Sequence, residues 1–137
     1  MIITICGSMQ FHQEMKQVQQ ELESHGFIVL VPEELDDPAT NESYLTSIED
    51  KITAKIEYNF IREHFNKVET ADAILILNYE KNEVAGYIGG NTFLEMGYAF
   101  GHGKKIYFLN PIPEMDYYAE MVAMQPMILN ANLDLIT

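Results

Sequence analysis

The chain has 137 residues, enough for one domain with an apolar core that needs no disulfide or metal to hold it. Its 21 acidic and 8 basic residues leave a formal charge of −13, a field that repels nucleic acid and anionic lipid and argues against a polynucleotide or a membrane as partner. The single cysteine, Cys6, excludes an internal disulfide and fits a reducing compartment, and no stretch reads as a leader or a membrane span, so the expected location is cytoplasmic.

Met1 to Cys6 is an apolar, β-branched run ending at Gly7-Ser8, the pattern of a buried first strand. Met9 to Ser24 follows with Phe11, Met15, Val18 and Leu22 on one helical stripe, and Gly26 is its stop signal. Phe27 to Val31 reads as a second buried strand closed by Pro32, and strand, helix, strand implies a right-handed parallel unit. Glu33 to Asp50 holds seven acids and reads as a loop, with one helical turn near Tyr44 to Ile48; it is either a lid or a solvated acidic connection.

Ile48 to Thr70 is the longest helical pattern, with Ile52, Ile56, Phe60, Ile61, Phe65 and Val68 on its apolar face. Ala73 to Leu77 reads as strand three, and Asn78 to Ile88 as a polar loop. Thr92 to His102 reads as a helix on which Gly97 and Gly101 allow close packing on the sheet. Lys105 to Leu109 reads as strand four, Tyr117 to Met124 as a short helix and Met127 to Leu129 as a short fifth strand or extended tail. The alternation predicts an α/β fold in one domain over residues 1–137, with a central parallel sheet of four or five strands covered on both faces. Ligands of such sheets sit beyond the carboxyl ends of the strands, where strand order reverses. The loops at Gly7-Ser8, Asn78-Tyr79 and Gly89-Gly90 fall at that edge.

Tyr87 to Gly101 carries the chemistry. Gly89 and Gly90 let the backbone turn and a ligand approach, Asn91 or Thr92 is placed to cap the helix, and Glu95 falls in its first turn, where free N–H groups and the helix dipole favour an anion. Glu95 is then a candidate nucleophilic carboxylate or part of an anion clamp. Thr92-x-x-Glu95 is equally a capping box, and the motif alone leaves both readings open.

Cys6-Gly7-Ser8 offers a hydroxyl and backbone donors to a phosphate or a sugar hydroxyl, or simply caps a helix. No dinucleotide fingerprint or P-loop lysine pattern occurs. A small anionic ligand would have to be held by backbone N–H groups. His64 lies at the edge of an apolar helix face, as a packed core side chain or a functional one. His12, His25 and His102 share no metal-ligand spacing with each other or with Cys6, so neither metal nor cofactor is expected. Met115, Met121, Met124 and Met127, with Tyr117 and Tyr118, are either core or a contact between subunits.

A first strand ending Cys6-Gly7-Ser8, then Glu69-Thr70-Ala71-Asp72 before an apolar strand, then Asn91-Thr92-x-x-Glu95-x-Gly97-x-Ala99-x-x-x-Gly103-Lys104 resembles the nucleoside 2-deoxyribosyltransferase-like proteins, which include deoxyribosyltransferases and deoxynucleotide N-glycosidases. The resemblance runs over nearly the whole chain. It implies a flavodoxin-like, Rossmann-like three-layer sandwich, a homodimer or higher homo-oligomer whose neighbouring subunit completes each site, and N-glycosidic cleavage through a sugar ester on Glu95. By the same resemblance Gly7 and Ser8 hold the 5′ end of the sugar, and Asn91 belongs to the ligand-facing loop. Two positions depart from the pattern: His64 stands where the family carries an aspartate on the long helix, and Gly89 stands where the transferases proper carry a second one. Gly-Gly-Asn-Thr-x-x-Glu also resembles the cytokinin-activating phosphoribohydrolases, whose glycine-rich first-strand motif is absent here.

The resulting expectation is cleavage or transfer at the N-glycosidic bond of a nucleoside or nucleoside 5′-monophosphate. Glu95 and His64 are the catalytic candidates, His64 donating a proton to the departing base if protonated or positioning a water. Gly7, Ser8, Gly89, Gly90, Asn91 and Thr92 are the substrate-binding candidates. The alternatives are a module that binds a nucleotide without turnover and a phosphoribohydrolase that releases base from nucleoside monophosphates.

Overall fold

The computed structural model describes residues 1–32 and 59–137, together with Leu35 and Ile52. Five parallel strands form one sheet: β1 (Ile2–Cys6), β2 (Ile28–Leu30), β3 (Ala73–Ile76), β4 (Lys105–Phe108) and β5 (Met127–Ile128). They lie in the order β2-β1-β3-β4-β5, the flavodoxin-like arrangement. The register aligns Cys6 with Ile76, Ile76 with Phe108, and Phe108 with Ile128, so these four make one row across the carboxyl end of the sheet.

Among the described residues the strands are accompanied by the helices α1 (His12–Ser24), α2 (Phe60–Thr70), α3 (Gly90–Gly101) and α4 (Tyr118–Ala123). A short 3-10 turn, Met9–Phe11, joins β1 to α1. α1 buries Met15, Val18 and Leu22 against Ile3, Ile5, Leu75 and Leu77, where each such side chain contributes about 1.5–3 kcal/mol. The other face collects Val68 of α2, Met96 and Ala99 of α3 and Met121 of α4 against Cys6, Ile74, Ile76, Ile106 and Phe108. The sheet is thus covered on both sides, as the strand and helix alternation requires.

Several element readings change. The helix read over Ile48 to Thr70 is not continuous, because Asn59 is left-handed (φ 55°) and α2 starts at Phe60. Ile52 is helical but about half exposed (52%), so it is not on a buried face. The acidic loop of Glu33 to Asp50 and its helical turn lie outside the described residues, apart from Leu35, which is buried in the α1-side core. Gly97 and Gly101 do not press on the sheet: among the described residues a Cβ at either would meet nothing within 4 Å, and the inward positions belong to Thr92, Met96 and Ala99. The Met-rich tail divides. Met121 is core, whereas Met127 and Tyr118 are exposed, and Tyr117 stacks on Phe93 and donates its hydroxyl to the Ile88 carbonyl. Among the described residues no helix is long and apolar enough to cross a membrane.

Candidate active site

Strand order reverses between β1 and β3, and the crevice opens at their carboxyl ends. Gly7 leaves β1 so tightly that a Cβ would lie 3.1 Å from Met15 Cε and 3.2 Å from the Leu77 carbonyl oxygen. Ser8 then caps the 3-10 turn, its Oγ accepting from the Gln10 amide at 3.3 Å and from Lys81 Nζ at 3.1 Å. Lys81 also sits 5.3 Å from the centre of the Tyr87 ring.

On the β3 side, Asn78 is fully buried and clasps Asn110. Its amide nitrogen donates to the Asn110 and Pro111 carbonyls (2.8 and 3.1 Å), its amide oxygen accepts from Asn110 N (2.9 Å), and its own carbonyl accepts from Asn110 Nδ2 (3.0 Å). Tyr79 packs edge-on against Phe11. The position in this loop that demands glycine is Gly86, with φ +72° and a virtual Cβ 2.7 Å from the Pro111 carbonyl oxygen.

The helix carrying Glu95 begins earlier than its sequence pattern implies. Gly89 is the N-cap, in an ordinary extended conformation (φ −79°, ψ 174°), and Gly90 is already helical. Neither Asn91 nor Thr92 caps the helix, Thr92 is a buried third residue, and Glu95 stands in the second turn. A capping box needs the carboxylate three residues after the cap, and here it is six residues after. The capping reading therefore fails, and so does the placing of Glu95 in the first turn. What Gly90 provides is open space: a Cβ there would meet nothing within 4 Å among the described residues.

Glu95 instead belongs to a buried cluster. His64 Nε2 of α2 lies 3.5 Å from Glu95 Oε2 and 3.4 Å from Cys6 Sγ. His64 and Glu95 have side chains only 6% and 14% exposed, and Cys6 is fully buried. Burial, with Lys67 nearby, pulls the His64 imidazole down to about 4, outweighing the Ile5 main chain that favours the charged form. His64 is therefore neutral at pH 7, and the proton donor expected of it is scarce there. Among the described residues its Nδ1 is buried without a hydrogen-bond partner. The Cys6 thiol is pushed well up by burial first, and then by the charge of Glu95 and a hydrogen bond to it.

A cavity of about 310 Å³ brings together Gly7, Ser8, His64, Gly89, Gly90, Asn91, Thr92 and Glu95, which are all eight of the sequence-derived candidates. It is also lined by Tyr87, which opens the stretch carrying the chemistry, and by Lys81 and Phe60, which sequence reasoning did not place in the site. Lys81 adds a side-chain cation to the backbone N–H groups expected to meet an anion. One lysine in a polar loop carries no local signal, and only the fold brings it to Ser8, 73 residues away. Sequence spacing gave no metal site, yet ligand atoms of Cys6, His64 and Glu95 all lie within 4.8 Å of one another.

No protein-family model matches this chain, and no curated protein sequence matches it. Among solved structures it is similar to that of Clostridium botulinum CMP N-glycosidase, BcmB. Sequence identity is 15%, the likeness covers 93% of this chain and 85% of that one, and the TM-score is 0.48.

Proposed function

We propose that this chain cleaves the N-glycosidic bond of a nucleoside or nucleoside 5′-monophosphate, by hydrolysis or by transfer to another base. The supporting observation is a shielded carboxylate, Glu95, in the same cavity as a hydroxyl and ammonium pair, Ser8 and Lys81. A Glu95 oxygen attacks the anomeric carbon as the bond to the base nitrogen breaks. The bond's electron pair leaves with the base, which takes a proton from solvent. Water then opens the sugar ester, or an acceptor base does so to give a new nucleoside. Neutral His64 holds the carboxylate in place. Gly7, Ser8 and Lys81 take the 5′ end, while the backbone at Gly89 and the open position at Gly90, with Asn91 and Thr92, border the sugar.

The test is base release from a panel of nucleosides and 5′-monophosphates, with and without an acceptor base. Lys81→Ala should raise KM for monophosphates about 10- to 100-fold, the worth of one charge-assisted hydrogen bond, and change nucleosides little. A second reading, binding without turnover, is favoured by the depth and neutrality of His64, which leave no ready acid for the departing base. Saturable ligand binding with no base released across the whole panel would select it. The proposal includes assembly of two or more copies through large exposed side chains such as Tyr118, Val122 and Met127, and sedimentation as a monomer at micromolar concentration would remove that part.

A further inference from the structure

The cluster of Cys6, His64 and Glu95 holds one soft donor, one borderline donor and one hard donor, supplied by β1, α2 and α3. Sulfur, imidazole nitrogen and carboxylate oxygen are the three ligand types that zinc accepts, and sites with three protein ligands leave a fourth position open. With zinc–sulfur near 2.3 Å and zinc–nitrogen or zinc–oxygen near 2.0–2.1 Å, tetrahedral angles place neighbouring ligand atoms about 3.3–3.6 Å apart. The separations in the structure are 3.4 Å from Cys6 Sγ to His64 Nε2 and 3.5 Å from His64 Nε2 to Glu95 Oε2. Two edges of a tetrahedron are thus already formed without an ion.

We propose that Cys6, His64 and Glu95 form a binding site for a tetrahedral, borderline-soft divalent cation, zinc above all, with its fourth position toward the cavity. On binding, Cys6 Sγ, His64 Nε2 and a Glu95 oxygen each form one bond to the ion, and the thiol proton is released to solvent. A cavity water completes the shell. Metal binding does not depend on the glycosidic reading. Its consequence does: a Glu95 that ligates zinc cannot attack a sugar, so zinc would inhibit base release and a chelator would restore it.

Cobalt(II) is the probe, because a thiolate–cobalt bond gives a near-ultraviolet charge-transfer band that carboxylate and imidazole ligands do not. Titration of the full chain should give that band with tetrahedral visible bands, saturating at one ion per chain and reversed by zinc. Cys6→Ser should abolish the charge-transfer band. His64→Gln and Glu95→Gln should each keep sulfur ligation while weakening zinc on the order of 10- to 100-fold in competition with a chromophoric chelator. His102→Gln, at an exposed histidine outside the cluster, should bind as the parent does. Absence of the band in the parent, or its persistence in Cys6→Ser, overturns the site. If Cys6→Ser fails to fold, the other two variants decide, and parental zinc affinity in both overturns it. The cobalt readout needs no substrate, so an inactive protein that binds cobalt in this way refutes the catalytic reading alone.

Discussion

The two faces of the sheet are made by the same strands and put to different uses. Toward α1, alternate residues of β1 and β3 (Ile3, Ile5, Leu75) pack into one apolar cluster. Toward α2 and α3, the residues between them include Thr4, whose hydroxyl donates to the Lys67 carbonyl at 2.8 Å, and Cys6, which meets His64 and then Glu95. One residue of register separates a face that holds the fold from a face that holds polar groups out of water. The lesson is where to look for chemistry: buried polar side chains cost stability, so their gathering on one face needs a reason that packing does not supply.

The sharpest way to break this contrast pairs one variant on each face. Glu95→Gln should lower base release by several orders of magnitude, as for loss of a covalent nucleophile, and leave ligand binding largely intact. Leu22→Ala, fully buried under α1, should cost about 2–5 kcal/mol of stability and leave turnover per folded molecule unchanged. Denaturant midpoints and base-release rates on the same two proteins check both. A normal rate in Glu95→Gln sinks the enzymatic reading.

His64 sharpens the contrast through pH. Its imidazole is held at about 4 in the folded chain against 6.5 for an ordinary histidine. The unfolded chain therefore takes up the proton first as pH falls. The stability tied to neutral His64 is complete above about pH 6.5 and is lost on the way down to about pH 4. Between pH 7 and pH 5 the loss should be about 2 kcal/mol, taking 1.36 kcal/mol per unit over the interval crossed. His64→Gln should remove this part of the pH dependence, and parallel slopes for the two proteins would contradict it.

The smallest effect lies outside both faces. Gly97 is in mid-helix with open space where its Cβ would be, so Gly97→Ala should stabilise the chain by about 0.5–1 kcal/mol. A loss of stability, read from the melting temperature, would mean that this surface of α3 is covered.

How much of this was legible depends on the range of the signal. Strands β1, β3 and β4 announce themselves as short apolar runs, and α1 by the spacing of Met15, Val18 and Leu22, because burial on one face imprints a local period. The flavodoxin-like strand order followed from the family resemblance, and the same eight candidates reached one cavity. Helix starts are less legible: Gly89 caps α3 with its backbone alone, so Thr92-x-x-Glu95 offers a capping box that the fold does not use and leaves the motif's two readings open. The break at Asn59 is a backbone conformation with no apolar signature. Lys81 with Ser8, and Cys6 with His64, are meetings across 73 and 58 residues, and no local pattern carries such information.

The clasp of Asn78 on Asn110 has a consequence for recognition. Four hydrogen bonds tie the ends of β3 and β4 and fix where the loop bearing Lys81 and Tyr87 leaves the sheet. Part of that loop's conformational entropy is thus lost at folding and not when a ligand arrives. A molecule entering the cavity would meet a wall already in place, and its affinity would carry little penalty for arranging it.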